Sequence, residues 1–577
     1  MAGTGRDRQE GQSSRQLPVF SPREVEALIA DGRSIIIVDQ HVLKVDAWLK
    51  YHPGGDKAIH HMVGRDATDE VNSLHSAEAR QMMSRYRIGK IEGRWKNFVP
   101  PIQGGVYRPA SVGDEKEHSD VQARFTTKDT SSPSDASSRS PSPPAVFDTT
   151  SETRPGLRAR GPTMAASVTS VSSVDELEEE PSDGMTHLDV LTRKHIKLDL
   201  EKYPSLDPST QDTVVKKYRL LHDKMVAEGL FECNYYDYAR ECVRYTSLFT
   251  CMLLFLRWGW YTISACFLGA FWHQLVFAAH DSGHMGITHK FHVDTVIGII
   301  IADFIGGLSL GWWKRSHNVH HIVTNSPEHD PDIEYIPLFA VSHRFLQSLR
   351  STYHEKLMPY DAMAKILVPV QQYLYYPVML LARFNLYRLS WEYLLLGQGP
   401  KKGPAWWHRY LEFAGQVFFW TWFGYGVMYK SIDTNWHRFV FLMVSHMVTS
   451  PLHVQITLSH FAMSTADLGQ DESFPQKMLR TTMDVDCPEW LDWFHGGLQF
   501  QAIHHLFPRM PRHNLRHAQK LVQEFCDDVG IPYALYGFVD GNKEVIGRLA
   551  DVARQAAILA KCQGVMATGG HGNGHHA

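Results

Sequence analysis

Residues 273–289 read HQLVFAAHDSGHMGITH, an apolar run that ends in two histidines four positions apart. Residues at this spacing lie on one face of a helix, so His280 and His284 point in the same direction. Two more histidine groups follow: His317-Asn318-Val319-His320-His321 and Gln501-Ala502-Ile503-His504-His505. The three groups together offer eight nitrogen or oxygen donors, which exceed what one tetrahedral metal can use and indicate a two-metal site. Imidazole ligands suit iron, zinc or copper, and the spacing does not choose between these metals.

The chain around these groups is apolar enough to predict a membrane domain. Residues 411–429 and 439–458 are each about long enough to cross a bilayer as a helix, and we predict that they form a hairpin. Residues 293–310 lie between two histidine groups that must meet, and a single crossing there would separate the groups. We therefore predict a re-entrant or interfacial helix for this stretch. The histidine groups must all lie on one side of the membrane, which limits the number of crossings between them. We therefore also predict that residues 366–384 lie along the membrane interface and that residues 245–279 hold two short spans.

Composition divides the 577-residue chain into parts and excludes some classes of protein. The net charge of -4 and the pI near 6.8 argue against a nucleic-acid binder. The seven cysteines show no CxxC pair, so neither a disulfide scaffold nor a thiolate metal site is predicted. Residues 17–93 read as a small globular unit, 94–187 as a disordered linker rich in Ser and Pro, 188–560 as the membrane domain and 561–577 as a flexible tail.

Two local signals fall in the small N-terminal unit. Ser21 and Glu24 form a capping-box pattern with Pro22 at the first helical position, which predicts the start of a helix. Residues 34–38, SIIIV, predict a strand because of their β-branched run.

A haem site is indicated by His52-Pro53-Gly54-Gly55 and by His75, which follows a helix-forming stretch. This arrangement resembles cytochrome b5, and the resemblance implies that His52 and His75 are the axial ligands of haem b. Two imidazoles fill both axial positions of the iron, so such a haem carries electrons and does not activate oxygen. His60 and His61 receive no role.

The order HxxxH, HxxHH and QxxHH across residues 230–540 resembles the membrane fatty-acyl and sphingolipid desaturases. A QxxHH group together with an N-terminal cytochrome b5 domain is similar to the front-end desaturases. Residues 273–289 most closely resemble fungal delta-8 sphingolipid desaturases, because Met285 stands where many fatty-acyl members have a histidine. The resemblance implies a multi-domain fold, in which a small α+β haem domain is joined by the linker to an all-α, multi-span membrane desaturase domain.

The same resemblance implies a set of ligands for two iron ions. These are His280, His284, His317, His320, His321, Gln501, His504 and His505. A further histidine near the end of a late helix joins the set in the wider class, and His460 suits that place better than His495. Asp330-Pro331-Asp332 is expected to orient the ligating imidazoles. His446 and His453 are interpreted as hydrogen-bonding groups inside helices.

The implied reaction is O2-dependent desaturation of the long-chain base of a sphingolipid or ceramide, with electrons from the fused haem domain. NADH-cytochrome b5 reductase is the implied electron source. The implied location is the endoplasmic reticulum membrane, with several spans and with the haem domain and histidine groups on the cytosolic side. Three alternatives stay open: a front-end fatty-acyl (delta-5/delta-6 type) desaturase, a lipid hydroxylase, and a haem-binding membrane protein without enzymatic activity. The sequence does not choose between a cis and a trans product.

The linker determines how the two domains meet. A flexible segment of about 90 residues has a mean reach of roughly 50 Å, which gives the haem domain a high effective concentration over the metal site. We therefore expect transient docking without a fixed contact surface.

Overall fold

The computed structural model describes residues 17–110 and 186–569. In the first of these ranges a three-stranded antiparallel sheet, in the order β1-β2-β3, packs with four short helices. The elements are α1 (Pro22–Ala30), β1 (Ile35–Val38), β2 (His41–Lys44), α2 (Asp56–His60), α3 (Thr68–Leu74), α4 (Ala77–Met83) and β3 (Arg87–Lys90).

The two local predictions for this unit are confirmed. The Ser21 hydroxyl accepts from the Glu24 backbone N–H at 3.3 Å, and the Glu24 carboxylate accepts from the Ser21 backbone N–H at 2.7 Å. Pro22 is the first residue of α1, where its missing N–H costs no hydrogen bond. The predicted strand at 34–38 is β1, whose four residues are all buried.

The haem domain extends beyond its predicted end at residue 93. Trp95 is buried and donates its indole N–H to the Gly64 carbonyl at 3.0 Å, and Arg108 pairs with Glu26 at 3.0 Å. The predicted linker start at residue 94 is therefore too early, because an aromatic anchor follows the last strand. The rest of the predicted linker, residues 111–185, lies outside the described residues.

The second range is largely helical. Its elements are α5 (His187–Lys202), α6 (Pro208–Ala227), α7 (Tyr235–Arg257), α8 (Tyr261–Gly283), α9 (Phe291–Ile299), α10 (Leu310–Val323), β4 (Leu349–Ser351), β5 (Lys356–Met358), α11 (Ala362–Leu367), α12 (Gln371–Leu396), α13 (His408–Phe419), α14 (Asn435–Thr449), α15 (Pro451–Phe461), α16 (Phe474–Thr481), β6 (Asp484–Asp486), α17 (Asp492–His495), α18 (Gln501–Leu506), α19 (Leu515–Val529), β7 (Leu535–Gly537) and α20 (Phe538–Gly569). The pairs β4-β5 and β6-β7 form two small sheets that the sequence did not predict.

Two helices of the described residues are long and apolar enough to cross a membrane: Tyr261–Gly283 and Asn435–Phe461, the second of which joins α14 and α15. Residues 245–279 lie in α7 and α8, which meet at a turn after Arg257, and of these two helices α8 is the one long and apolar enough to cross a membrane, so the two predicted short spans are not found as such. Residues 411–429 are helical, in α13 and in the π-helix Trp420–Ser431 that continues it. Their predicted crossing of the membrane and their hairpin with α14 stay predictions.

The segment between the first two histidine groups turns back on itself. The helix Phe291–Ile305, which is α9 with its π-helical end, and α10 meet at an angle of 118°. This geometry fits the predicted re-entrant segment. Residues 366–384 lie in α11, a short 3-10 turn and α12, and their course along the interface stays a prediction.

The C-terminal part packs around the third histidine group. The core here joins α6, α16, α18 and α19, with Phe474 and Phe507 packed against Tyr218. Helix α20 continues to Gly569, so the predicted flexible tail at 561–577 begins with helix, and residues 570–577 lie outside the described residues.

Candidate metal centre and haem site

The two histidines of the haem domain face each other across a gap. Their ring centroids lie 5.9 Å apart. A metal–imidazole bond is about 2 Å long, so one metal ion between two facing rings needs a centroid separation of about 6 Å. His52 donates its Nδ1 proton to the Gly55 carbonyl at 2.6 Å, and His75 donates its Nδ1 proton to the Val71 carbonyl at 3.1 Å. Each ring therefore keeps Nε2 as a free electron-pair donor, which fits a haem iron.

Burial also favours the neutral form of both rings. It lowers the pKa of His52, and it lowers the pKa of His75 to about 3. The neutral imidazole is the form that binds iron.

The three histidine groups converge into two clusters at the ends of α8, α10, α15 and α18. One cluster contains His280, His284, His317 and His504, and the other contains His320, His460 and His505. Within each cluster the ligand atoms lie within 4.8 Å of one another. His321 stands between them, with its ring centroid 4.9 Å from that of His284 and 4.3 Å from that of His505.

Several of these imidazoles have a buried nitrogen without a hydrogen-bond partner among the described residues. The atoms are Nε2 of His284, His504 and His505, and Nδ1 of His321 and His460. A buried polar atom left unpaired costs roughly 1–3 kcal/mol, so five such atoms in one place need a ligand. Burial keeps the pKa of His504 and of His505 well below the ordinary value, so both rings are neutral and able to bind metal ions.

Asp330 and Asn325 hold the second cluster in place. His320 donates its Nδ1 proton to Asp330 at 2.9 Å, which leaves Nε2 for a metal. The same carboxylate accepts from the Asn325 backbone N–H at 2.7 Å. The Asn325 amide donates to the His460 carbonyl at 2.8 Å and thereby ties α15 to the loop after α10. Asn325 has a φ of 57°, a conformation that asparagine tolerates better than most residues.

Asp484 anchors the third histidine group. Its carboxylate accepts from the Ala502 backbone N–H at 2.8 Å and from the Gln519 amide at 3.1 Å, and the Tyr533 hydroxyl also donates to it. Burial raises the pKa of Asp484 to about 7. Because α18 has only six residues, this contact fixes the direction in which His504 and His505 point.

Arg512 joins the first histidine group to the segment that follows the third. It is buried and pairs with both Asp281, inside the first group, and Glu241 on α7. The His513 imidazole lies 3.1 Å from the Glu241 carboxylate. Arg512, Asp484 and Asn325 were not predicted, since no local sequence pattern marks a residue whose partner is far away in the chain.

Both parts of the chain are similar to known protein families. Residues 257–537 match the family described as "Fatty acid desaturase", and residues 21–92 match "Cytochrome b5-like Heme/Steroid binding domain". A "Delta 8-(E)-sphingolipid desaturase" of Emericella nidulans is 61% identical over 97% of this chain and 98% of its own length. This chain belongs to the fatty acid desaturase family. The resemblances to cytochrome b5 and to the membrane desaturases are confirmed.

Further relatives agree with this assignment. A "Delta 8-(E)-sphingolipid desaturase" of Candida albicans is 47% identical over 94% of this chain and 97% of its own length. A "Delta(8)-fatty-acid desaturase" of Helianthus annuus is 35% identical over 66% of this chain and 80% of its own length. This desaturase is an integral membrane oxidoreductase with a haem-binding domain and iron-dependent chemistry.

The remaining predicted residues of this desaturase have the following places. Gln501 is buried as the first residue of α18, one turn before His504 and His505. The His495 Nδ1 accepts from the Gln455 amide at 3.2 Å, so this ring is engaged elsewhere, whereas His460 lies in the second cluster.

His446 and His453 are both buried in the helix pair α14 and α15. The His446 Nδ1 donates to the Leu442 carbonyl at 2.8 Å, in agreement with a hydrogen-bonding group inside a helix. The Nε2 atom of His453 has no hydrogen-bond partner within the described part of the chain.

Proposed function

We propose that this desaturase inserts an (E) double bond at the Δ8 position of a sphingolipid long-chain base. Near-full-length identity of 61% to a Delta 8-(E)-sphingolipid desaturase supports the substrate and the geometry of the product. The observation that carries the reaction is the pair of imidazole clusters with their unpaired buried nitrogens.

The metal ligands follow from these clusters. His280, His284, His317 and His504 would hold one iron ion, and His320, His460 and His505 would hold the other, with His321 between them and Gln501 as a further proposed ligand. Bound iron, with O2 as co-substrate, supplies the oxidising power that removes two hydrogens from adjacent methylenes. Such carbon–hydrogen bonds have no acidic proton, so acid–base side chains alone cannot break them.

The chain's own residues orient these ligands and provide the electron supply. Asp330 fixes the His320 tautomer, and Asp484 and Arg512 hold the third and first histidine groups. His52 and His75 would hold haem b, which we propose is reduced by NADH-cytochrome b5 reductase. We also propose an endoplasmic reticulum location with the haem domain and both clusters on the cytosolic side.

Expression in a yeast strain that lacks its own counterpart tests this function. Mass spectrometry of the sphingoid bases should show new bases that have lost two hydrogens at C8 and C9, with (E) geometry. Unsaturation confined to fatty-acyl chains would replace this proposal with the front-end fatty-acyl alternative, and addition of one oxygen atom would indicate hydroxylation.

A matched variant separates catalysis from haem binding. His317→Ala should abolish the product while the haem spectrum stays unchanged, because His317 lies in the metal cluster and His52 and His75 lie in the other domain. Product formation by the variant would contradict the proposed iron site. Metal analysis of the wild type should give two iron atoms in addition to the haem iron.

A further inference from the structure

The haem domain contacts the desaturase domain beside the second histidine group. The Asn318 amide donates to the Gly54 carbonyl at 3.4 Å. A Cβ atom on Gly54 would lie 2.6 Å from the Asn318 Nδ2 atom and 2.9 Å from the His52 Cε1 atom, so a larger residue here would displace these side chains. Gly54 is two residues from His52, and Asn318 directly follows His317. One hydrogen bond therefore connects a haem-ligand segment to a metal-ligand segment.

Ion pairs surround this contact. Arg315 pairs with Asp56 at 3.2 Å, and Lys57 pairs with Glu355. A third pair joins Asp69 of the haem domain to Arg219 at 2.7 Å. In all three pairs one partner lies in each domain, so the charges of the two surfaces are complementary.

The centre of the contact is apolar and buried. Val319, Ile322 and Val323 of α10 belong to the same core cluster as Ala58 and Met62 of the haem domain. His61 has no exposed surface, and its Nε2 accepts from the Thr352 hydroxyl at 2.9 Å. An apolar centre with a charged rim is the usual build of a specific interface.

We propose that α10 and the loop at 352–355 form a specific docking site for the haem domain, with Asn318 as the positioning residue between the two redox sites. The inference rests on the proposed function. In the docked state, a haem held by His52 and His75 would be the one-electron donor, and iron held by the two histidine clusters would be the acceptor. Asn318 acts through Gly54 and touches neither the substrate nor a reacting atom.

A zero-length carbodiimide cross-linker tests docking in the full-length holoenzyme. It condenses the Glu355 carboxylate with the Lys57 amine into an amide, with the lost water taken up by the carbodiimide. The Glu355 side chain is 70% exposed, so the reagent can reach it. Mass spectrometry should find the cross-linked peptide in the wild type and lose it in Glu355→Gln. Absence of the peptide from a wild-type sample that makes product would overturn the dock and leave the proposed function intact.

Exchanging the charges of the ion pair Asp69–Arg219 tests whether the docked state delivers electrons. The measured quantity is the rate at which pre-reduced haem is oxidised after mixing with oxygen and substrate, with His317→Ala as the background. Asp69→Arg and Arg219→Asp should each slow this oxidation about fivefold, and the double variant should recover most of the rate. Single variants as fast as the wild type, or a double variant no faster than either single one, would overturn the proposal.

Substitution of Asn318 tests its proposed positioning role. Asn318→Leu should slow haem oxidation several-fold at unchanged iron content and haem spectrum, and Asn318→Gln should recover part of the rate. Asn385→Leu, at an exposed position of α12, is the matched control and should match the wild type. A wild-type rate in Asn318→Leu would show that the contact is structural only.

Discussion

The tautomer of three proposed iron-binding imidazoles, those of His52, His75 and His320, is set by the hydrogen-bond partner of Nδ1. In the haem domain, backbone carbonyls of Gly55 and Val71 take the Nδ1 protons of His52 and His75. In the metal centre, Asp330 takes the Nδ1 proton of His320. A carbonyl thus orients each proposed haem ligand and a carboxylate orients His320, a proposed ligand of the two-iron site; the carboxylate makes its imidazole the stronger electron donor.

Asp330→Ala should lower the iron content of the purified enzyme. Without the carboxylate, the His320 ring loses its tautomer and the Asn325 N–H loses its acceptor. Removal of such partners typically costs about 10–100-fold in metal affinity. Iron analysis after dialysis against a chelator measures the loss. Asp330→Asn keeps one acceptor oxygen and should lose less iron; equal iron in all three proteins would contradict the assigned role.

At the scale of single residues, the sequence predicts the metal ligands but not the residues that hold those ligands in place. The histidines are visible because helical spacing brings each group to one face within five residues. Asp484 supports Ala502 from 18 positions away, and Arg512 reaches Asp281 across 231 positions. Such contacts depend on how the helices pack, and a single sequence contains no signal for them.

Among the helices, α8 and α14 approach each other closely at a glycine. A Cβ atom on Gly269 would meet the Ser445 carbonyl oxygen at 2.5 Å and the Val448 Cβ at 2.7 Å. The Thr449 hydroxyl donates to the Gly269 carbonyl at 3.1 Å. Small residues permit such close approach between membrane helices, where packing stabilises association.

Gly269→Ala should destabilise the protein by about 1–3 kcal/mol, since the added methyl group forces the two helices apart. The melting temperature in detergent measures the effect. Gly424→Ala is the control, because its Cβ would meet only Trp420 at an ordinary 3.5 Å. Equal melting temperatures for the two variants would show that the contact is looser than the structure indicates.

The re-entrant segment depends on a buried arginine. Arg383 on α12 donates to the Gly306 carbonyl at 2.6 Å, at the break between α9 and α10, and lies 4.3 Å above the Trp272 ring. Only 1% of Arg383 is exposed. The guanidinium therefore satisfies a backbone carbonyl at a helix end that water cannot reach.

Arg383→Leu should leave the Gly306 carbonyl unpaired and cost about 2 kcal/mol or more of stability. Limited proteolysis of purified enzyme should then cut faster near residues 305–309. Arg388→Leu removes an exposed arginine of the same helix and serves as the control. Unchanged stability and cleavage in Arg383→Leu would contradict this role.

Element prediction succeeded where the signal is local or topological. The capping box located α1, and the need for the histidine groups to meet indicated the re-entrant turn. The end of the haem domain was missed because Trp95 follows a Gly and charged residues that resemble a linker. Only its packing beneath Gly64 shows that it belongs to the domain.

Across the whole molecule, acidification should weaken docking of the haem domain. Burial lowers the pKa of His61 to about 3, whereas an exposed imidazole has a pKa near 6.5. The docked state thus favours neutral His61. The contribution of His61 to the free energy of docking is therefore complete above about pH 6.5 and is lost as the pH falls towards 3. Docking should weaken about tenfold between pH 7.5 and 5.5.

Hydrogen exchange of α2, corrected for the intrinsic pH dependence of exchange, measures this change. His61→Asn removes the titrating group and should flatten the profile. A wild-type profile as flat as that of the variant would show that His61 stays accessible to protons in the docked protein.

The sequence predicted two domains and a flexible tether between them, but not their contact. A tether sets how often the domains meet, whereas the surface on which they meet depends on side chains from distant stretches, such as Thr352 against His61. His61 had no recognisable role because its partner lies 291 positions away.

Helix α10 lies between the metal centre and the haem domain. One face carries His317 and His320 towards the metal centre, and the other presents Val319 and Ile322 to the haem domain. Removal of the haem domain would expose the apolar face of α10 and leave every proposed ligand of the two-iron site in place. The truncated enzyme would then need a separate haem protein with a complementary surface as its electron donor. Without that protein bound, the exposed apolar face would promote aggregation.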